Sequence, residues 1–205
     1  MIFFYLYRLL AMDQTYKNIL LDSQLYQLPE LLINLLINIP NINEKTGLEI
    51  GIGGAQRSIP ISNFFKRYVG VEPDIELFNK SNNEIKKHNP NFTTYNMTFD
   101  EFISKKVEKY DVIIFINAIE FCIKPQHFFE TAFELADYII VVTPRRIPRN
   151  WGSPKLNIGS ELFDRNIWTK KKAILSEFKK ILKHDNRLIK RTKDDKSTYY
   201  LFKKN

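Results

Sequence analysis

Apolar positions along this chain follow two rhythms. Short runs of strand length recur at residues 46–50, 68–71, 92–96, 110–116 and 139–142. Between them, apolar residues return every three or four positions, as on one face of a helix: Ile75, Phe78 and Ile85, then Phe128, Phe129 and Phe133, then Ile174, Phe178 and Ile181. The run Val112-Ile113-Ile114-Phe115-Ile116 has no polar alternation, which is how a central parallel strand covered on both faces reads. Strands alternating with helices predict a parallel sheet between two helical layers.

Prolines, caps and turn residues divide these segments. Residues 13–21 predict a short helix, and Pro29 opens a second over 30–37 that Pro40 stops. That second helix is apolar almost all round, so it is expected to be buried or shared with a partner. Residues 41–45 read as a linker into the first strand. Pro60 reads as a first helical residue for 61–67, and Asp74 as the cap of a helix over 75–87. Thr98 and Glu101 have capping-box spacing, residues 125–136 predict a further helix, and Thr169 is placed to cap a last one over 170–182. Residues 187–193 and 197–203 flank Asp194-Asp195-Lys196 as a hairpin would.

The chemistry concentrates where the first strand runs into a glycine cluster, Thr46-Gly47-Leu48-Glu49-Ile50-Gly51-Ile52-Gly53-Gly54-Ala55. Glycine takes φ > 0 readily and lets a ligand lie against the backbone, so Gly51 and Gly53 permit a tight turn with amides facing a bound molecule. Glu72 ends the next strand about 20 residues on, where a carboxylate can accept both hydroxyls of a ribose. The unit therefore reads as a site for an adenosine-like ligand, with a plain strand-to-helix turn as the alternative. The dinucleotide pattern G-x-G-x-x-G fails at Gln56. Glu49, two places before the first glycine, would repel a pyrophosphate but could hold an ammonium group. S-adenosylmethionine has no phosphate and carries an ammonium on its methionine end.

With these residues the sequence resembles the class I S-adenosylmethionine-dependent methyltransferases. Glu49-Ile50-Gly51-Ile52-Gly53-Gly54-Ala55 is similar to their first motif, with Ala55 in place of the third glycine. Gly70-Val71-Glu72-Pro73-Asp74 is similar to the ribose-binding segment. Residues 110–121 are similar to the fourth strand and its loop, and 136–144 to the fifth strand. The resemblance covers residues 44–145 best. It implies a Rossmann-like three-layer α/β/α sandwich with a mostly parallel seven-stranded sheet, a C-terminal antiparallel hairpin and an N-terminal helical cap over the pocket. Residues 1–43 would form the arm and cap, and 44–205 the methyltransferase domain. The cofactor contacts it implies are Glu49, Gly51, Gly53, Gly54, Glu72, Pro73, Met97, Thr98 and Asn117. Glu120 and His127 are candidates for orienting an acceptor or taking a proton; a cap or surface role is the other reading of each. The loop after the fifth strand, broken by three prolines, offers Arg145, Arg146, Arg149 and Trp151 to an anionic acceptor, or is only a basic surface loop.

Composition narrows the rest. The single cysteine, Cys122, rules out a disulfide framework and reads as a buried thiol, and three scattered histidines give no metal-ligand spacing. From Arg165 onward, fourteen Lys and Arg face four Asp and Glu, while the earlier part is near neutral. This is either a solvated surface or a face for a nucleic acid or another anionic partner. The opening Ile-Phe-Phe-Tyr-Leu-Tyr is far short of the roughly 20 residues that span a bilayer. It reads as an apolar arm packing on the domain or pairing two subunits. Met12 as the true start and a surface anchor are two further readings. A cytoplasmic enzyme is expected, with a small-molecule acceptor such as a sugar or other metabolite. An RNA or other nucleic-acid methyltransferase using the basic C-terminal third is the alternative, and a non-catalytic methyltransferase-like subunit a third reading.

Overall fold

The computed structural model describes residues 28–105, 108–119, 124–145 and 165–205, with side chains from residue 175 onward in the last stretch. The apolar arm with its pairing role, the 13–21 helix, Glu120, Cys122, Arg146, Arg149 and Trp151 lie outside the described residues. The strands are β1 (Thr46–Ile50), β2 (Arg67–Val71), β3 (Phe92–Tyr95), β4 (Tyr110–Ile116), β5 (Ala136–Pro144), β6 (Leu188–Lys193) and β7 (Ser197–Lys203). The helices are α1 (Glu30–Leu36), α2 (Ser58–Ser62), α3 (Ile75–His88), α4 (Phe99–Lys105), α5 (Pro125–Leu135) and α6 (Arg165–His184).

All seven strands form one sheet in the order β3-β2-β1-β4-β5-β7-β6. Pairings from β3 through β5 are parallel, and β7 runs antiparallel to both its neighbours. The order reverses between β1 and β4, and the carboxyl ends of strands at such a switch point open a crevice.

Period-2 alternation sorts the strands onto two cores. Val112, Ile114, Ile116, Ile140, Val142 and Leu201 meet α1, α2 and Ile85 of α3. Leu48, Ile50, Val69, Ile113, Phe115, Val141 and Phe202 meet α4, α5 and α6 on the other face. From Val112 to Ile116 every β4 residue is buried whichever way it points, which is why that run carries no polar alternation. Gly47 has a local reason: a Cβ there would lie 2.6 Å from the Tyr68 ring and 2.9 Å from that of Phe65. The strand gives up a side chain so that a tyrosine can lie across it.

Helix starts follow the expected caps in two places. The Asp74 carboxylate accepts from the N–H groups of Glu76 and Leu77, both at 2.9 Å. Thr98 and Glu101 close a reciprocal box: Thr98 N–H donates to Glu101 Oε2 (2.8 Å) and Glu101 N–H to Thr98 Oγ1 (3.2 Å).

Elsewhere the boundaries differ from expectation. Pro60 is the third residue of α2, which ends at Ser62; the chain then turns to bury Phe64 and Phe65, and β2 begins at Arg67. α6 starts at Arg165, so Thr169 is interior and caps nothing; Lys170-Lys171-Lys172 are good helix formers and carry the helix through. Among its described side chains the buried stripe is Leu175, Phe178 and Leu182; Phe178 is as expected, and Ile181 is half-buried. Ile75 does not join the core and is 55 % exposed at the start of α3. α1 packs beside β7 and β6, three and four strands from β1, in one core cluster with Ile52 and Ala55 of the glycine turn. Among the described residues no helix is long and apolar enough to cross a membrane.

Candidate active site at the sheet switch point

Backbone strain marks the carboxyl ends of β1 and β4. Gly51 (φ 78), Gly53 (φ 53), Ala55 (φ 60) and Asn117 (φ 50) all take left-handed conformations there. Such residues cluster where surrounding structure holds them for function, at about 1–3 kcal/mol each for a non-glycine. Ala55 stands where the resembled motif has its third glycine, and its φ explains why that motif prefers glycine.

Three loops converge on this turn. Gly51 packs so closely under the β4 loop that a Cβ would meet that of Ala118 at 2.8 Å. From β2, Glu72 grips the turn: its Oε2 accepts from Gly53 N–H (2.7 Å) and its Oε1 from Asp74 N–H (3.0 Å). From the end of β3, Asn96 donates through Nδ2 to the carbonyls of Glu72 (2.8 Å) and Pro73 (3.1 Å). The turn itself is open. A Cβ on Gly53 or Gly54 would meet nothing within 4 Å.

Two carboxylates flank the turn from different depths. Glu72 is 5 % exposed, and burial raises its carboxyl above the usual range against the pull of the Asp74 and Gly53 N–H groups. Each oxygen has accepted one hydrogen bond and keeps a second lone pair. Glu49 lies under the turn, 2 % exposed, and accepts from Tyr68 Oη at 3.0 Å. Burial pushes its carboxyl up to about 7. The Ser58 hydroxyl, which faces it without closing a hydrogen bond, the Tyr68 hydroxyl and the charge of Arg57 hold it from going higher, while Glu72 pushes the same way as burial.

A pH signature follows. Between about pH 4.5 and 7 the folded chain keeps a proton on Glu49 that the unfolded chain releases, so this contribution is full below that window. It is lost as pH rises through it, by about 3 kcal/mol for Glu49 alone. Glu72, also raised, acts with the same sign. Asp111, Asp185 and Asp194, whose carboxyls are lowered, act at more acid pH. Denaturant titrations from pH 5 to 8 are expected to show stability falling in the parent and a clearly flatter profile in Glu49→Gln. Equal slopes would show that Glu49 is ionised throughout.

Two buried polar atoms at the same edge have no hydrogen-bond partner among the described residues: Asn117 Oδ1 after β4 and Thr143 Oγ1 near the end of β5. A buried acceptor or hydroxyl left open costs about 1–3 kcal/mol, so each is a candidate for a partner that the described residues do not supply.

The other expected residues are placed as follows. Pro73 is exposed beside Glu72, Met97 is half-buried against the α4 side of the core, and Thr98 is engaged in its capping box. Asn117 is held by its N–H to Val142 O (2.9 Å). His127 is exposed in the first turn of α5. Arg145 does not join the crevice: its guanidinium donates to Asp194 O (3.0 Å) and its N–H to Lys196 O (2.7 Å), in the β6–β7 turn. Among the described residues no group of three or more His, Cys, Asp or Glu could hold a metal ion. Tyr68, Asn96 and Thr143 were not singled out by the sequence. Tyr68 stands opposite Gly47 across the β1–β2 pair, and a glycine facing a tyrosine in a strand was the available signal.

No protein-family model matches the chain, and no curated protein matches it by sequence. Solved structures do. An O-methyltransferase from Bacillus cereus in complex with SAH is 16 % identical, with TM-score 0.57 over 94 % of this chain and 92 % of that one. A caffeoyl-CoA O-methyltransferase candidate from Staphylococcus aureus is 15 % identical, with TM-score 0.61 over 98 % of each chain. An RNA methyltransferase candidate from Pyrococcus horikoshii is 15 % identical, with TM-score 0.56 over 94 % of this chain and 97 % of that one. Together with the strand order and the antiparallel β7, these likenesses establish that the chain has the Rossmann-like fold of the class I S-adenosylmethionine-dependent methyltransferases.

Proposed function

We propose that the chain is an S-adenosylmethionine-dependent methyltransferase whose donor lies across the glycine turn. The observation that carries this reading is the open backbone at Gly53 and Gly54, clamped by Glu72, with the unpartnered Asn117 Oδ1 at the same edge of the sheet. When bound, the donor supplies a methyl group already activated on a positively charged sulfur. The chain's residues therefore have to hold and align, and only secondarily to move a proton. Glu72 offers its two remaining lone pairs to the ribose hydroxyls. Asn96, Met97 and Thr98, with Pro73, form the edge beside them for the adenine. Asn117 Oδ1 takes a donor hydrogen bond that no described residue supplies. Glu49, under Gly51, offers a carboxylate to the ammonium.

The Glu49 role gives a test independent of turnover. Near neutral pH its carboxyl is partly protonated, and an arriving ammonium favours the ionised form, so donor binding releases a proton. Calorimetry at pH 7 in two buffers of different ionisation enthalpy is expected to show micromolar binding, with a fraction of a proton released by the parent and none by Glu49→Gln. Absence of binding at millimolar donor sinks the proposal. Binding with equal proton counts removes Glu49 from it.

For the acceptor, a small molecule such as a sugar is the reading of the sequence, with Arg146, Arg149 and Trp151 as its contacts and Glu120 or His127 as base; Arg145, held by the β6–β7 turn, leaves that set. A nucleic-acid acceptor is the second reading. It is favoured by a cation-lined groove beside β6 in which Arg145 takes part.

A further inference from the structure

On the face that carries α6, a groove of about 300 Å³ is walled by cations from three elements. Arg145 follows β5; Lys179, Lys180 and Lys183 come from α6; Arg191 and Lys193 come from β6. None of the described residues lining it is acidic. The strand ladder sets this up. Arg191 and Lys193 pair with Tyr200 and Thr198, so they leave the sheet on the α6 side. The Arg191 guanidinium lies 5.8 Å over the Tyr200 ring. Arg145 and Lys179 are anchored, the first to Asp194 O and the second to Pro144 O, which fixes two positive charges at the rim. Lys180, Lys183 and Lys193 are exposed.

Six like charges around one groove repel one another, and a single phosphate cannot neutralise them; a chain of phosphates can. Distance decides against a small phosphorylated acceptor. In the order β1-β4-β5-β7-β6, four strand spacings of about 4.8 Å separate β1 from β6, roughly 19 Å in all. That is about six stacked nucleotides at roughly 3.4 Å each. A single phosphorylated sugar seated in the groove leaves its body far from the glycine turn. A polymer can occupy both places at once. Arg145, at the carboxyl end of β5, lies on the way from one to the other.

We propose that this groove holds the phosphodiester backbone of a single-stranded nucleic acid whose target nucleotide reaches the crevice. The target-nucleotide half of this rests on the methyltransferase reading; the groove half does not.

The test is fluorescence anisotropy with a labelled 12-nucleotide single strand, as RNA and as DNA. Lys180→Glu/Lys183→Glu/Lys193→Glu is compared with Lys80→Glu/Lys86→Glu/Lys105→Glu, an equal charge change on exposed lysines of α3 and α4. The groove variant is expected to bind at least about 30-fold more weakly, with the slope of log K against log salt shallower by about 2. The control is expected to stay within about threefold. If the groove variant melts early, the Lys→Gln triple at the same positions carries the test and is expected to show the same slope change. An octanucleotide should compete and a dinucleotide should not. Similar weakening of both triples overturns the proposal, as does a dinucleotide that competes like the octamer. Tighter retention on phosphatidylserine vesicles than on either oligonucleotide reassigns the groove to a membrane surface and also overturns it. Donor calorimetry is run in parallel: polyanion binding without donor binding leaves the groove and removes the methyl transfer, and the reverse removes the groove alone.

Discussion

Gly54→Val is expected to abolish donor binding while leaving the thermal midpoint within about two degrees of the parent. The two halves of that result have separate causes. A Cβ at position 54 meets nothing within 4 Å, and its backbone is not left-handed, so the folded chain accommodates a side chain without strain. A surface change away from core, cap and turn constraints moves stability by only about 0.5 kcal/mol. The branched side chain, however, projects into the open side of the turn, where the proposed donor meets the backbone. A loss of at least 100-fold in affinity by calorimetry, with unchanged melting, places the ligand there. Unchanged affinity places it elsewhere. Gly53 is a poorer probe, because its φ of 53 strains any replacement and confounds folding with binding.

Glu72→Ala is expected to lower donor affinity by about 100-fold and to soften the turn itself. Hydrogen bonds to a charged group are worth about 1.5–3 kcal/mol each, and the ribose loses two; allowing for water in the gap, 2.7 kcal/mol or 100-fold is a reasonable floor. The same change strands the N–H groups of Gly53 and Asp74, so some loss of melting temperature accompanies it. Glu72→Gln separates the effects: one amide oxygen can still accept, but its NH₂ faces an N–H it cannot bond. Retention in the glutamine variant would show that the negative charge of Glu72 is not needed for binding. Loss of binding in both variants, with the glutamine variant melting like the parent, fits a direct ribose contact.

What was legible in the sequence was local. The glycine turn, the acid at the end of the next strand, the Asp74 cap and the Thr98–Glu101 box each state their chemistry within a few residues. The β4 run announces burial on both faces because no position can afford polarity. What was not legible depends on partners far along the chain. Tyr68 of β2 reaches Glu49 of the neighbouring β1, and only the parallel register brings them together. Thr143 is expected at the end of the fifth strand, but that its hydroxyl is buried and open there depends on the pairing of β5 with β7. Arg145 reads as part of a proline-broken loop, yet the hairpin turn captures it. The α6 start was missed because a plausible capping threonine lay inside a stretch of good helix formers. The basic groove was legible only in part: the cation excess from Arg165 onward stands in the sequence, but its convergence with Arg145 from three elements depends on the sheet order.

The position of β7 between β5 and β6 has a consequence for biosynthesis. It is the last strand of the sheet to leave the ribosome, yet two earlier strands wait for it. Until residue 203 has emerged, β5 presents one unpaired margin of oily backbone over Ile139–Val142, and β6 has no place to dock. Folding of this sheet is therefore completed from its interior after translation of its final segment, and a chaperone that shields the β5 margin would protect the nascent chain during that interval.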